Sequence, residues 1–452
     1  HEYGHGVTDF QIGWGGNGEA GALNEGMSDI WAVILEHRIN PNDIWKMGEE
    51  IISIKNCFRN IEETDSPSAN LQMSDTYLDP WYNNASGDIY VMSGVLSHWF
   101  YMLVSGESGT NGVGDVYEVF GIGMDAAEDL IVEAVFNGYL DHLDTYTSLG
   151  DAMISAAETS SLFGANSFQV LQLKHACYAA NILDAEPEQV QISGPSTGLI
   201  CDYGAIVTAT NCPSGSTISW TTSSNLFVES GGSTSTPTIK AVSTTIGGQG
   251  WVQVNFTSNG YTAAGPKLEV WAGKPGVPTT DPSGYPTIQM TLGEMLGVSL
   301  DETPGTTSTI GTWSASGSII NIGSTGSSCM FEAISTGTGN FTVTVTNGCG
   351  TSVEGGGAVN VSGGGGPGPL MVYPNPATES FEIQLDDAVV SADQEEVESE
   401  LRIYDQFNSL KEIVKFKGKK HKIYTNKLAK GIYLIEVVNE NGRYTTKVIV
   451  DK

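Results

Sequence analysis

Apolar positions recur at three- and four-residue steps through 30–36, 95–104, 126–136 and 171–181, which predicts amphipathic helices across roughly the first 184 residues. After Asp184-Ala185-Glu186-Pro187 the period changes. Residues 190–362 are rich in Ser, Thr and Gly and carry short alternating runs such as 217–221 and 251–256, the pattern of half-buried strands separated by turns. Lys274-Pro275-Gly276-Val277-Pro278 divides this stretch, and Trp220 and Trp313 stand at comparable places in its two halves. Two β-sandwiches are expected, over 190–274 and 278–362. A Gly/Pro linker at 363–370 then leads to an alternating all-β tail over 371–452. The expected fold is thus multidomain: a mainly α-helical domain over 1–184, two sandwiches and a small all-β domain.

Length and charge narrow the function. Single cores rarely exceed about 250 residues, so 452 residues require several domains. The net charge is −32, and residues 1–185 hold 27 acidic against 5 basic side chains. Such a surface repels nucleic acid. Residues 371–452 differ, with 12 of the 20 Lys and Arg against 14 acids. The run 395–400, with four glutamates, reads as a solvated loop. No run of eighteen apolar residues occurs, which leaves no helical membrane span. The chain does not begin with Met and starts on its first motif, so an upstream segment with any signal peptide is expected.

Six cysteines fall in pairs along the first three segments, an even partition that favours disulfides within domains and an oxidising compartment. Cys201 with Cys212, Cys329 with Cys349, and Cys57 with Cys177 are the expected pairs. Unpaired buried thiols are the alternative.

The candidate chemistry lies at the start. His1-Glu2-Tyr3-Gly4-His5 places two imidazoles four residues apart, where both can reach one ion, and zinc suits them best. Glu2 can serve as general base in metal-assisted hydrolysis without occupying a ligand position. In Asn24-Glu25-Gly26-Met27-Ser28-Asp29, Glu25 supplies a third ligand. Asp29, one helical turn on, can accept the outer N–H of His1.

Together with His5-Gly6-Val7-Thr8-Asp9-Phe10 and the block 21–31, these motifs resemble the thermolysin-like zinc endopeptidases, over residues 1 to about 182. The resemblance implies that His1, His5 and Glu25 hold zinc, that Glu2 is the catalytic base and that Asp29 orients a ligand. It further implies that Arg59 holds a substrate carbonyl and that Glu36 and Glu49 bind structural calcium, for which hard oxygen ligands are suited; surface acids are the other reading of these two. Such enzymes have an N-terminal half that forms one cleft wall, absent from this sequence. Two positions depart from the family. Tyr90, in Asp88-Ile89-Tyr90-Val91-Met92-Ser93-Gly94, stands where a transition-state histidine is expected, and Gly16 stands where a tyrosine would give a second donor. A phenol donates without needing protonation, so Tyr90 can replace part of that function. His98, in an apolar helix, reads as a satisfied core or surface histidine.

The sandwiches resemble the immunoglobulin-like and PKD-like modules of secreted bacterial hydrolases, as passive spacers or as binders of protein or surface glycan. The tail, with Val372-Tyr373-Pro374-Asn375-Pro376-Ala377 and the closing runs 431–437 and 447–450, resembles the C-terminal sorting domain of type IX secretion in Bacteroidetes-like bacteria. That implies an extracellular protein handled by the type IX machinery. Two functions remain: a secreted zinc endopeptidase acting on proteins or peptides, and a catalytically degenerate adhesion or glycan-binding protein that keeps the zinc site.

Overall fold

In the computed structural model, residues 43, 50, 53–54, 246, 284–286, 302, 304, 306–310, 364–368 and 387–396 lie outside the described residues. The described chain falls into two compact units. One contains His1–Pro195, Ala205–Ile239 and Trp251–Glu269; the other contains Ser196–Gly204, Lys240–Gly250 and Val270–Lys452.

Helices α1 (Glu2–Gln11) and α2 (Gly18–Ile39) open the first unit. Glycine lets them touch: a Cβ at Gly4 would lie 2.7 Å from the Ser28 Cα. Strands β1 (Lys46–Met47) and β2 (Arg59–Asn60) pair antiparallel. Three helices follow, α3 (Pro80–Asn84), α4 (Ile89–Met92) and α5 (Gly94–Ser105). At Gly26 a Cβ would fall 2.8 Å from the Leu96 Cβ and 3.0 Å from the Ser93 carbonyl oxygen, so α2 and α5 pack backbone to backbone there. The hairpin β3 (Glu107–Thr110) and β4 (Val116–Val119) precedes α6 (Met124–Phe136), α7 (Tyr146–Thr159) and α8 (Phe168–Ala179). Leu23, Met27 and Ile30 of α2 join Val95, Trp99 and Phe100 of α5, Leu130 of α6 and Leu173 of α8 in one core. Helix α2, which carries Glu25, is therefore anchored along its length by apolar burial, the dominant favourable term in folding.

Beyond the helices, strands resume at Gln191. Within the first unit, Thr217–Thr222 pairs antiparallel with 252–257, setting Trp220 opposite Val254. The second unit holds two all-β bodies, each with a four-stranded sheet and a smaller or larger partner sheet. In the body spanning 280–362, Trp313, Cys329, Phe331, Phe341 and Val359 from both sheets share one core, and Trp313 faces Val343 as Trp220 faces Val254. In the tail the two sheets share Phe381, Ile383, Leu401, Ile403, Ile435 and Val437. The mainly helical start followed by a large all-β region is the expected fold class.

Cysteine pairing differs from expectation. The disulfide joins Cys201 to Cys349, with Cα atoms 5.2 Å apart. Leu199–Ile200 runs parallel to Trp271–Ala272, and the Tyr203 hydroxyl donates to the Gly348 carbonyl at 3.2 Å. Strand topology brings these cysteines together across 148 positions, which sequence proximity cannot anticipate. Cys57, Cys177, Cys212 and Cys329 are thiols. Burial in the apolar cores pushes Cys177 and Cys329 up to about 12. The acidic run also differs: Glu398, Ser399 and Glu400 begin strand Glu398–Asp405, with Ser399 buried, while Glu395 and Glu396 lie outside the described residues, as does linker 364–368.

Candidate metal centre

His1 occupies the N-cap of α1, and His5 lies one turn on, its amide bonded to the His1 carbonyl. Across from them α2 presents Glu25. The ligand atoms of His1, His5 and Glu25 lie within 4.8 Å of one another, and no other such trio occurs among the described residues. The two Nε2 atoms are 3.1 Å apart. From the Glu25 carboxylate, one oxygen is 3.2 Å from the His1 Nε2 and the other 3.6 Å from the His5 Nε2.

The outer nitrogens fix which lone pairs face inward. His1 Nδ1 donates to Asp29 Oδ1 at 2.8 Å, and His5 Nδ1 donates to Asn24 Oδ1 at 3.0 Å. Asn24 Oδ1 also accepts from the Thr8 hydroxyl, and Ser28 Oγ, which donates to the Asn24 carbonyl, contacts His5 Nδ1 at 3.1 Å. With both protons on Nδ1, two imidazole lone pairs and a carboxylate converge. Glu25 Oε2 is buried and accepts no hydrogen bond among the described residues. Converging acceptors with no donor between them are costly unless a cation joins them, so the donor set fits zinc.

Asp29 is fully buried and is the hub of the arrangement. Its Oδ1 takes the His1 proton and also Arg59 Nη2 at 2.7 Å, while its Oδ2 accepts from Ser97 Oγ of α5 at 3.1 Å. Arg59, 4% exposed on β2, further reaches to 3.9 Å from Glu25. Its Nε has no partner among the described residues, and its guanidinium lies over the Phe58 ring.

The remaining candidates lie around this centre. Glu2 is exposed beside the first ligand on α1. Tyr90 is half exposed on α4, a short helix held by Asp88 capping the Tyr90 and Val91 amides. Helix α4 rests on α2, since a Cβ at Gly21 would come within 3.0 Å of Ile89. Around Gly16 a Cβ would meet nothing within 4 Å, so the expected tyrosine's place is open space. Glu36 and Glu49 both line a cavity of about 260 Å³, with Lys46 also in its wall. Among the described residues no trio of acidic or imidazole ligands gathers there. His98 is buried away from the ligands, its Nδ1 hydrogen-bonded to the Ile61 carbonyl and its Nε2 3.0 Å from Glu107 Oε2.

Sequence reasoning overlooked Asn24, Ser28 and Ser97. A signal existed for the first: an asparagine in mid-helix competes with the backbone, and a buried one needs partners of its own.

Residues 16–182 match the family described as thermolysin metallopeptidase, alpha-helical domain, and residues 371–451 match the secretion system C-terminal sorting domain. The chain therefore carries the helical domain of the thermolysin-type zinc metalloproteases and a type IX sorting tail, which marks it as secreted or cell-surface. No helix among the described residues is long and apolar enough to cross a membrane.

Among its relatives are a transglutaminase-activating metalloprotease of Streptomyces mobaraensis, 31% identical over 43% of this chain and 26% of the relative, and a bacillolysin of Bacillus caldolyticus, 30% identical over 40% and 32%. A thermolysin of Alicyclobacillus acidocaldarius subsp. acidocaldarius is also 30% identical, over 40% and 32%. The chain thus spans about a quarter to a third of the length of these relatives. The family match takes in Glu25, Asp29, Arg59 and Tyr90, and begins after His1, Glu2 and His5.

Proposed function

We propose that this chain is part of a secreted zinc metalloendopeptidase that hydrolyses peptide bonds in proteins. One observation carries the reading: His1, His5 and Glu25 converge with their outer hydrogen bonds already made and with Glu25 Oε2 left without a donor. Zinc held there would supply Lewis acidity toward a carbonyl oxygen and toward water. Glu2, free in solvent beside the first ligand, takes a proton from water and returns it to the departing amine. Asp29 and Asn24 keep the imidazoles in the tautomer that presents Nε2. Arg59, buried and anchored to Asp29, offers its remaining N–H groups to a substrate carbonyl, and Tyr90 offers a neutral O–H to the developing oxyanion.

The test uses the full-length gene product, loaded with zinc and assayed on casein. Glu2→Ala is expected to lower kcat by about 10²- to 10⁴-fold, the usual contribution of a general base, with zinc content unchanged. Equal turnover in both proteins would remove the peptidase reading and leave the adhesion alternative. Tyr90→Phe is expected to lower kcat by about 10²; unchanged kcat would remove Tyr90 from the mechanism.

A further inference from the structure

Helix α5 reaches the metal centre through two consecutive residues, and only the first acts on it directly. Ser97 bonds Asp29. His98 faces the other way. Its Nδ1 lies 2.9 Å from the Ile61 carbonyl oxygen, and its Nε2 lies 3.0 Å from Glu107 Oε2 on β3. Ile61 is two residues beyond Arg59, and its own amide donates to the Trp45 carbonyl at 2.8 Å. The next residue, Glu62, accepts from the Tyr101 hydroxyl at 3.3 Å, and the Tyr101 ring stacks on His98 with centroids 5.4 Å apart. The segment bearing Arg59 is thus tied to α5 at Ile61 and Glu62, beyond the guanidinium's own bond to Asp29.

Both ring nitrogens of His98 face oxygen acceptors, and the carbonyl has no proton to give. Only the imidazolium, with a proton on each nitrogen, satisfies both. A neutral ring keeps one proton. The carboxylate, the stronger acceptor, holds it on Nε2, and Nδ1 then points a lone pair at the Ile61 oxygen. The groups acting on the ring are Glu107 from β3, Asp75 from the loop before α3 and the stacked Tyr101 of α5, with Glu62 on the Tyr101 hydroxyl and Tyr117 of β4 beside Glu107. Burial lowers the His98 pKa, but the hydrogen bond and charge of Glu107, the Ile61 carbonyl and the charge of Asp75 outweigh it, so the pKa is raised above its usual 6.5.

We propose that His98 and Glu107 form a charged brace that positions Arg59: as imidazolium, His98 clamps the Ile61 carbonyl and holds the guanidinium where it can receive a substrate carbonyl. His98 is a positioning residue that touches neither the ligands nor the substrate. The brace opens as pH rises and His98 loses its proton. This role for Arg59 rests on the peptidase reading above.

The experiment has two arms on the full-length, zinc-loaded protein. In the first, KM and kcat for a dipeptide amide substrate are followed from pH 6 to pH 10 in wild type, Glu107→Gln and His98→Gln. KM of the wild type is expected to rise about tenfold on the alkaline side, as expected for loss of one charge-assisted hydrogen bond, with little change in kcat there. Glu107→Gln is expected to move that limb at least one pH unit lower. His98→Gln, which retains one donor for Ile61, is expected to flatten it. In the second arm the same peptide is titrated by calorimetry into Glu2→Ala, with and without Glu107→Gln, across the same range, and the dissociation constant should show the same limb and the same displacement. Superimposable profiles with and without Glu107→Gln, or an alkaline loss confined to kcat, would overturn the brace. An absence of turnover in the wild type would count against the peptidase reading, and the calorimetric arm would still decide the brace.

Discussion

Asp29→Asn is expected to lower zinc affinity by at least about 10- to 100-fold, the usual cost of losing a carboxylate behind a liganding histidine, and to destabilise the metal-free protein by about 3 kcal/mol. The two effects have separate causes. Asp29 Oδ1 receives both the His1 Nδ1 proton and Arg59 Nη2, and the donor pair is itself only 3.1 Å apart. In the native protein one negative charge lies between a cationic guanidinium and the ring that must hold a divalent ion. An amide in its place leaves the Arg59 charge uncompensated beside the metal, opposing the ion, and it accepts the His1 Nδ1 proton more weakly than a carboxylate does. Stability falls because Asp29 is fully buried and Arg59 nearly so; breaking a buried pair by removing one partner typically costs about 3–5 kcal/mol. Competition with a chromophoric chelator would measure the affinity, and urea unfolding of metal-free protein the stability. An Asn variant with wild-type zinc affinity would show that the negative charge of Asp29 does not support metal binding through His1.

How much of this centre could be read from the chain depends on distance along it. His1, His5 and Glu25 are legible because helical periodicity aligns the histidines and because the second motif has a composition of its own. Asp29 follows from the same periodicity on α2. The links that tie the centre to its surroundings do not. Arg59 reaches Asp29 from a two-residue strand, and Ser97 reaches it from a helix 68 positions later. Those contacts are set by packing between α2 and α5 at Gly26, where the sequence shows only a small residue in an apolar run. His98 illustrates the point: its expected status as a satisfied histidine agrees with its two partners, yet neither Glu107 nor the Ile61 carbonyl could be named beforehand. For the fold, the switch from 3.6-residue to two-residue periodicity marks helices from strands. The pairing of Cys201 with Cys349 required knowing that Leu199–Ile200 lies beside Trp271–Ala272, and register of that kind leaves no trace in composition.

Acid is expected to weaken the helical domain through His175 before most carboxylates titrate. His175, on α8, is almost completely buried and its Nε2 has no hydrogen-bond partner among the described residues. Burial holds its pKa down to about 4, against about 6.5 in an unfolded chain. Between these values the unfolded state binds the proton and the native state refuses it, so stability rises with pH through this window. The contribution is complete above about 6.5 and is lost as pH falls toward 4, amounting to about 3 kcal/mol at most. His98 slopes the other way: its raised pKa adds stability that is full below about 6.5 and fades as pH climbs through the folded value. A metal-free protein held in Glu2→Ala form, to prevent self-digestion, should therefore lose urea stability on the acid side, and His175→Leu should remove most of the loss between pH 6.5 and 4. If the His175→Leu protein retained the wild-type slope in that interval, the acid sensitivity would belong to the carboxylates, and the imidazole of α8 would take up its proton at the same pH folded and unfolded.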